Sequence, residues 1–578
     1  MATFAMTSPA TGAPLSDVEA TPLDAINDVV TKARAAQAVW AAMTLPKRIR
    51  AISAVKGRIL SRAEAIGKTI HDETGKPEVE ALLGEVLASA DVVAYWADII
   101  VDELEPFEAE IDAMAYPKKA GLIHREPRGT IAIIMPWNFP FALPLRTIIP
   151  ALMAGNAVVF KPSEVTPRTG QLVAELFAGL VPEGLIGLVQ GGGDAGTKLC
   201  GANVDLVVFT GSPATGRKVA LACIDRLIPC TLELGGKDAA LVLADADLDR
   251  AANGIVWGAM MNAGQNCGAV ERVYADKKIV KELTERIVAA TRALRIVDDV
   301  GPLTTEAQRA TVERHVEAAR TGGGAVLIGG ESWGEGLSKL GYRPTVVSID
   351  ADDNPLVADE TFGPVVPITA VADADEAVRR ANASRYGLTA SVWTADVRRG
   401  EELAKKLRAG VVTINNHSFT GALPSAPWGR RRRDGVGHHR LAARARPPHA
   451  PALRLDRSQP QGARAVVVPV HRHTQEDRAG VRTPARRRAV LRPHWRSFFA
   501  RRAAPEALRR AQGRHASREQ GTDKTGPRAS HPAGHQGGDE AGAEATRKSA
   551  RESARKSGET GARSGRVLSP PPRLLDSD

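Results

Sequence analysis

Leu206-Val207-Val208-Phe209-Thr210-Gly211-Ser212-Pro213 is a short apolar run closed by a glycine turn and a Ser-Pro helix start. No polar residue alternates within Leu206–Phe209, the pattern of a strand covered on both faces. The whole strand candidate runs from Val204 to Phe209, and similar candidates lie at Asn156–Phe160, Ile186–Val189 and Pro229–Leu234. Amphipathic stretches over 167–180, 194–200 and 213–222 separate them. Short strands alternating with helices predict a parallel sheet with helices on both faces, an α/β fold. A second alternating set follows at Ala239–Leu243, Ala269–Tyr274, Val365–Val371, Leu388–Trp393 and Val411–Asn415. Upstream, residues 22–99 read as helical: Ile26, Val29, Val30, Ala33, Ala36 and Trp40 recur at three- and four-residue steps, and amphipathic runs cover 47–74 and 77–99. Residues 111–135 turn extended, punctuated by Glu126-Pro127-Arg128-Gly129. No repeat of fixed period is present.

The 578 residues suffice for two or three domains, and 43% hydrophobic with 25% charged is the balance of a soluble globular protein. The net charge of +11 points to nucleic acid only as an average. Residues 430–578 hold 34 of the 77 Lys+Arg and 14 of the 66 Asp+Glu, a net of +20, whereas residues 1–429 carry a net of −9. Cys200, Cys223, Cys230 and Cys267 form no CxxC pair and no zinc-spaced cluster, so no metal is expected. Scattered cysteines, an N-terminus without a basic, apolar leader and the lack of a membrane-length apolar run place the chain in the cytoplasm, with no membrane partner.

Two residues carry the chemistry. Cys267 stands in Gly264-Gln265-Asn266-Cys267-Gly268, where glycines permit a tight turn around a nucleophilic thiol. The other three cysteines read as small buried side chains. Glu233 ends the apolar strand Cys230-Thr231-Leu232-Glu233-Leu234 before Gly235-Gly236-Lys237. A buried carboxylate there acts as a general base, and an edge-strand carboxylate there merely faces water. Pro136-Trp137-Asn138-Phe139-Pro140 follows a strand, so Asn138 either donates to an oxyanion or stabilises a turn. Phe160-Lys161-Pro162-Ser163-Glu164 ends another strand, where Lys161 and Glu164 suit ribose hydroxyls or form a solvated loop. A Glu beside the adenosine 2′ position disfavours a 2′-phosphate and favours NAD over NADP. Gly211, Ser212 and Gly216 suit a pyrophosphate at a helix N-terminus, although the G-x-G-x-x-G fingerprint is absent. Glu360-Thr361-Phe362-Gly363-Pro364 sets a carboxylate and an aromatic two positions apart, able to bracket a ribose and its nicotinamide.

Taken in order, Pro136-Trp137-Asn138, Lys161-Pro162-Ser163-Glu164, Gly211-Ser212-x-x-x-Gly216, Glu233-Leu234-Gly235-Gly236-Lys237, Gly264-Gln265-x-Cys267 and Glu360-x-Phe362-Gly363-Pro364 closely resemble the aldehyde dehydrogenase superfamily, over residues 1–429. The resemblance implies a Rossmann-like cofactor domain (1–110 and 136–234), an oligomerisation hairpin or small β flap (111–135) and an α/β catalytic domain (235–429). It implies Cys267 as nucleophile, Glu233 as general base, and Asn138 with the Cys267 backbone N–H as oxyanion hole. Trp137, Lys161, Ser163, Glu164, Gly211, Ser212, Gly216, Glu360 and Phe362 become the contacts of NAD, or of NADP. The partners implied are a small aldehyde, with succinate semialdehyde a candidate, and further copies of the chain in a homodimer or homotetramer. Cofactor-free esterase activity would follow from the same thiol and oxyanion hole.

The resemblance stops after Pro427-Trp428-Gly429. The family continues with a G-G-x-x-x-[ST]-G-x-G loop and a last strand; here the chain reads Arg430-Arg431-Arg432-Arg433-Asp434. The tail holds 31 Arg, only 3 Lys and nine of the 13 His, the bias of GC-rich DNA read out of frame. Codons exist for residues 430–446 that, read one base later, give GGVGETGWGITGSPHAR, with the family's loop directly after Trp428. One extra base near codon 429 explains the break, and the alternative to an active enzyme is then an inactive or misassembled product of that shift. The competing reading is a disordered basic tail that binds nucleic acid.

Overall fold

The computed structural model describes residues 3–112, 114–334, 338–417, 423–425, 435–436 and 463–469. Thr130-Ile131-Ala132-Ile133-Ile134 is buried at every position and therefore needs cover on both faces. It lies inside a six-stranded sheet of order Gly435–Val436, Cys230–Glu233, Leu206–Thr210, Thr130–Ile134, Ala157–Lys161 and Ile186–Leu188. All neighbours are parallel except Gly435–Val436, which runs antiparallel to Leu232 and Glu233. The chain winds outward from Thr130–Ile134 to Ile186–Leu188, then crosses back to Leu206–Thr210. Strand order reverses between Thr130–Ile134 and Leu206–Thr210, which opens a crevice at their carboxyl ends. Trp40, Phe141, Phe160 and Phe177 lie in the core around this sheet.

The second sheet has seven strands, ordered Ala325–Ile328, Thr345–Ser348, Val365–Val371, Val270–Asp276, Asp238–Val242, Thr389–Trp393 and Val411–Ile414. Only Ala325–Ile328 is antiparallel to its neighbour. Ala325–Ile328 and Thr345–Ser348 are two strands that the reading of the sequence did not single out.

Three expectations are corrected. Residues 111–135 do not form one hairpin. Lys119–Arg125 pairs antiparallel with Phe107–Ala109 and with Ala463–Pro469, whereas Thr130–Ile134 belongs to the parallel sheet. The Pro127–Gly129 break separates a strand that is mostly partly exposed from a wholly buried one. The run over 47–74 is two helices, Leu45–Ser61 and Ala63–Thr74, because Arg62 leaves helical geometry at φ −111°, ψ 13°. The run over 77–99 contains a π-helical segment, Ala81–Leu87, before the helix Ala88–Leu104. Of the Arg-rich tail, Gly435–Val436 and Ala463–Pro469 are strands, and the expectation of disorder falls on residues outside those described. Among the described residues no helix is long and apolar enough to cross a membrane.

Candidate active site

The strand Cys230–Glu233 delivers Glu233 to the carboxyl edge of the first sheet, 2% exposed rather than facing water. Its carbonyl accepts from Gly211 N at 3.0 Å, so the glycine turn after Leu206–Thr210 is tied to it. The following Leu234-Gly235-Gly236 passes between two other motifs. A Cβ on Gly236 would meet the Cys267 carbonyl oxygen at 2.1 Å, and one on Gly235 would meet Glu360 Oε2 at 2.1 Å. Gly236 N donates to Glu360 Oε1 at 2.8 Å. The two glycines therefore let the Glu233, Cys267 and Glu360 segments meet.

The Cys267 loop is built on left-handed backbone. Asn262, Ala263 and Gly264 have φ of 54°, 53° and 71°, and the two non-glycine residues there cost energy that surrounding contacts must offset. Those contacts are present. Asn262 N donates to Glu80 Oε2 at 2.9 Å, and Asn262 Nδ2 donates to the carbonyls of Asn138 and Gln265. Burial raises the Glu80 carboxyl to about 7. A Cβ on Gly264 would meet Gly363 O at 2.0 Å, so this loop lies against Glu360–Pro364. Asn138, 4% exposed, donates one amide hydrogen to Gln265 O at 3.1 Å, two residues before Cys267. Lys76 Nζ donates to Asn138 O at 2.9 Å and to Glu85 Oε1 at 2.5 Å. Glu85 also accepts from the amides of Phe141 and Ala142. His417 Nε2 lies 2.8 Å from Gly268 O, which can only accept, so the ring is protonated on Nε2.

The dinucleotide candidates line the switch-point crevice. Trp137 follows Thr130–Ile134, and its ring stands edge-on to Phe362 with centroids 5.8 Å apart. Ser212 caps the helix Pro213–Ile224, accepting from Thr215 N at 3.3 Å. No acidic residue occupies that helix's first turn, and a Cβ on Gly216 would strike Leu234 Cδ2 at 2.4 Å, so the helix packs closely on the Glu233 strand. Lys161 ends its strand 4% exposed, with Nζ donating to Pro162 O at 2.9 Å and 3.6 Å from Glu164 Oε2. Burial lowers the Lys161 pKa, and Glu164 partly restores it. Ser163 is also turned to a local task, its hydroxyl accepting from Val165 N at 3.2 Å. These groups fit a dinucleotide: a helix N-terminus with no acidic residue in its first turn for the phosphates, a lysine–carboxylate pair for a ribose, and a Trp–Phe pair near the cysteine loop for the nicotinamide.

Arg146 escaped the reading of the sequence, because a lone Arg in an apolar helix gives no signal without its neighbours. It lies close enough to Glu85 and Cys267 for both charges to support its cation, while burial lowers its pKa to about 10. Cys230 corrects the reading of three inert cysteines. It is only partly buried, and a hydrogen bond from the Cys223 thiol brings it down to about 7 while Cys223 is pushed up.

Residues 1–445 match the model of the aldehyde dehydrogenase family. The chain is 36% identical over 445 residues to a 4,4'-diapolycopene aldehyde oxidase of Methylomonas sp, covering 76% of this chain and 83% of that protein. It is also 36% identical, over 74% of this chain and 83% of the relative, to a Mycobacterium tuberculosis (strain H37Rv) protein provisionally named succinate-semialdehyde dehydrogenase [NADP(+)] 2. The crystal structure of a Mycobacterium tuberculosis aldehyde dehydrogenase complexed with NAD+ superposes with a TM-score of 0.74 at 30% identity, covering 81% of this chain and 95% of that one.

Proposed function

The chain belongs to the aldehyde dehydrogenase family, and from that premise we propose that it oxidises an aldehyde to a carboxylic acid at Cys267. The observation that carries this reading is the convergence of the Glu233, Cys267 and Glu360 segments, with Gly235 and Gly236 between them. Lys161, Glu164, Ser212, Trp137, Glu360 and Phe362 would hold a dinucleotide, which when bound would supply the hydride acceptor. The Cys267 thiolate adds to the aldehyde carbon and forms a thiohemiacetal. The Asn138 amide and the Cys267 backbone N–H bear the charge that develops on oxygen. Loss of hydride leaves a thioester on Cys267, and Glu233 takes the proton from the water that hydrolyses it.

NAD+ is the preferred acceptor, because a 2′-phosphate beside Lys161 would also meet Glu164. Aldehydes that carry a second, anionic end are the substrate class we favour. Support for that class comes from the mycobacterial relative's name.

The test follows NADH formation at 340 nm over a panel of semialdehydes and uncharged aldehydes. Cys267→Ala is expected to abolish turnover, and wild-type turnover in that variant overturns the mechanism. Glu233→Gln is expected to keep a first-turnover burst of NADH while steady-state turnover drops roughly a hundredfold or more, the usual worth of a general base. Loss of the burst along with turnover moves Glu233 to an earlier step.

A further inference from the structure

The residues around Thr361 and Phe362 are organised beyond what a loop at the rim of a crevice requires. Phe362 has φ 53°, a left-handed conformation that a bulky side chain avoids. Its peptide neighbourhood lies outside any regular strand, yet Thr361 is fully buried. Every backbone group of the pair therefore needs an acceptor or donor from elsewhere.

Two side chains supply all four. Glu271 accepts from Thr361 N through Oε2 at 2.7 Å and from Phe362 N through Oε1 at 3.0 Å. Gln308 Nε2 donates to Thr361 O at 2.8 Å and to Phe362 O at 2.9 Å. The Thr361 hydroxyl lies 3.0 Å from Lys237 Nζ and 3.1 Å from His315 Nδ1. Lys237 Nζ also donates to Glu271 Oε2 at 2.5 Å, with the two side chains 0% and 3% exposed.

The sheet is irregular at this point. Asp238 pairs with Val270 and Ala239 pairs with Arg272, so Glu271 is the unpaired extra residue between two ladder rungs. A bulge re-aims the side chain it carries, and here that side chain reaches Thr361 and Phe362. Arg272, next along the strand, closes the arrangement from behind by donating to Lys237 O through Nε at 2.9 Å and Nη2 at 2.6 Å.

We propose that Glu271, carried on this bulge and neutralised by Lys237, is a positioning residue that clamps the Glu360–Phe362 loop against the nicotinamide end of the dinucleotide. The inference rests on the cofactor reading above. A buried ion pair adds little net stability by itself, so its value lies in holding Phe362 in a conformation that the residue would leave if released. The edge-on contact of Phe362 with Trp137 then keeps the aromatic pair at the crevice.

The clamp touches one end of the cofactor only, and that end can be titrated apart from the other. Isothermal calorimetry with NAD+ and with ADP on the full chain reads both. ADP carries the adenosine and phosphates that Lys161, Glu164 and Ser212 would meet, and lacks the nicotinamide. Glu271→Gln is expected to weaken NAD+ binding about tenfold, the worth of a lost charge-assisted hydrogen bond, with ADP affinity unchanged. Should that variant fail to fold, the double variant Lys237→Met with Glu271→Leu removes both buried charges together and still leaves the Thr361 and Phe362 amides without their acceptor; the same split is expected. A wild-type chain that binds ADP and NAD+, with either variant binding NAD+ just as tightly, overturns the clamp alone. Equal weakening of ADP and NAD+ also overturns it, since the pair would then be structural only. A wild-type chain that binds neither ligand overturns the cofactor reading and the clamp with it.

Discussion

His417 shows how one side chain ties distant parts of the chain to the Cys267 loop. It is 2% exposed, and a Cβ on Gly258 would strike its ring carbon Cδ2 at 2.6 Å, so helix Leu248–Met260 closes over it. Its ordinary pKa of 6.5 falls to about 4 because burial penalises the cation more than the Gly268 carbonyl supports it. The unfolded chain therefore takes up this proton before the folded one does. The stability that neutral His417 represents is complete above pH 6.5 and is lost as pH falls towards 4. The full loss is about 3 kcal/mol. Urea unfolding of wild type and His417→Gln at pH 7.5, 6, 5 and 4.5 checks this: the gap between them should change in the variant's favour across that range. A constant gap would mean that His417 does not titrate as described.

At the scale of elements, the π-helical segment Ala81–Leu87 stands out because it presents Glu85 inward. A π-turn inside a helix is uncommon and shifts side chains off the α-helical face. Here Glu85 sits 0% exposed between Lys76 Nζ and the amides of Phe141 and Ala142, which begin the helix Ala142–Met153. Lys76 in turn holds the carbonyl of Asn138. The pair thus fixes the segment between the strand Thr130–Ile134 and that helix, the one carrying Asn138. Glu85→Leu leaves Lys76 buried and unpaired, and is expected to lower unfolding free energy by about 3–5 kcal/mol. Lys76→Met combined with Glu85→Leu is expected to recover much of that loss with turnover still reduced, since the Asn138 carbonyl loses Lys76 and keeps Asn262 Nδ2 alone of those two donors. Denaturant melts beside NADH-formation rates measure both quantities, and recovery of turnover in the double variant would deny the pair any part in placing Asn138.

What could be read from the sequence follows the same physics. The strands Leu206–Thr210, Ala157–Lys161 and Val365–Val371 were legible because an apolar run bounded by turn residues is a local signal. That the Cys267, Glu233 and Glu360 segments approach one another was suggested by the glycines near each of them and by the order of the motifs, since glycine marks close backbone approach. Glu271, Lys76, Glu85 and Arg146 were not legible, because each is a charge whose partner lies far along the chain or in a turn of helix that sequence periodicity reads as ordinary. The π-segment and the bulge at Glu271 are departures from a period, and they are visible only once the neighbouring element is in place.

For the whole molecule, the sequence that follows Gly429 bears on what this polypeptide does. Residues 1–429 carry a net −9 and residues 430–578 a net +20, and the family match ends at residue 445. The change of charge falls where a one-base shift of permitted codons would give GGVGETGWG. In this chain Gly435 pairs with Glu233 and Val436 with Leu232, so the tail lies against the strand that carries the proposed base. Ala463–Pro469 covers the free side of Lys119–Arg125, an edge that would otherwise present unpaired backbone groups to another copy. A different sequence in these positions changes both the neighbourhood of Glu233 and the edge available for assembly. Sequencing the DNA across codon 429 is expected to find one extra base. The frame-restored chain, measured beside this one, is expected to form NADH faster and to run as a dimer or tetramer in size-exclusion chromatography with light scattering, where this chain runs smaller or aggregates. An in-frame read without an insertion removes the frame argument. Equal activity and equal assembly of the two chains would show that residues 1–429 carry the function whatever follows them.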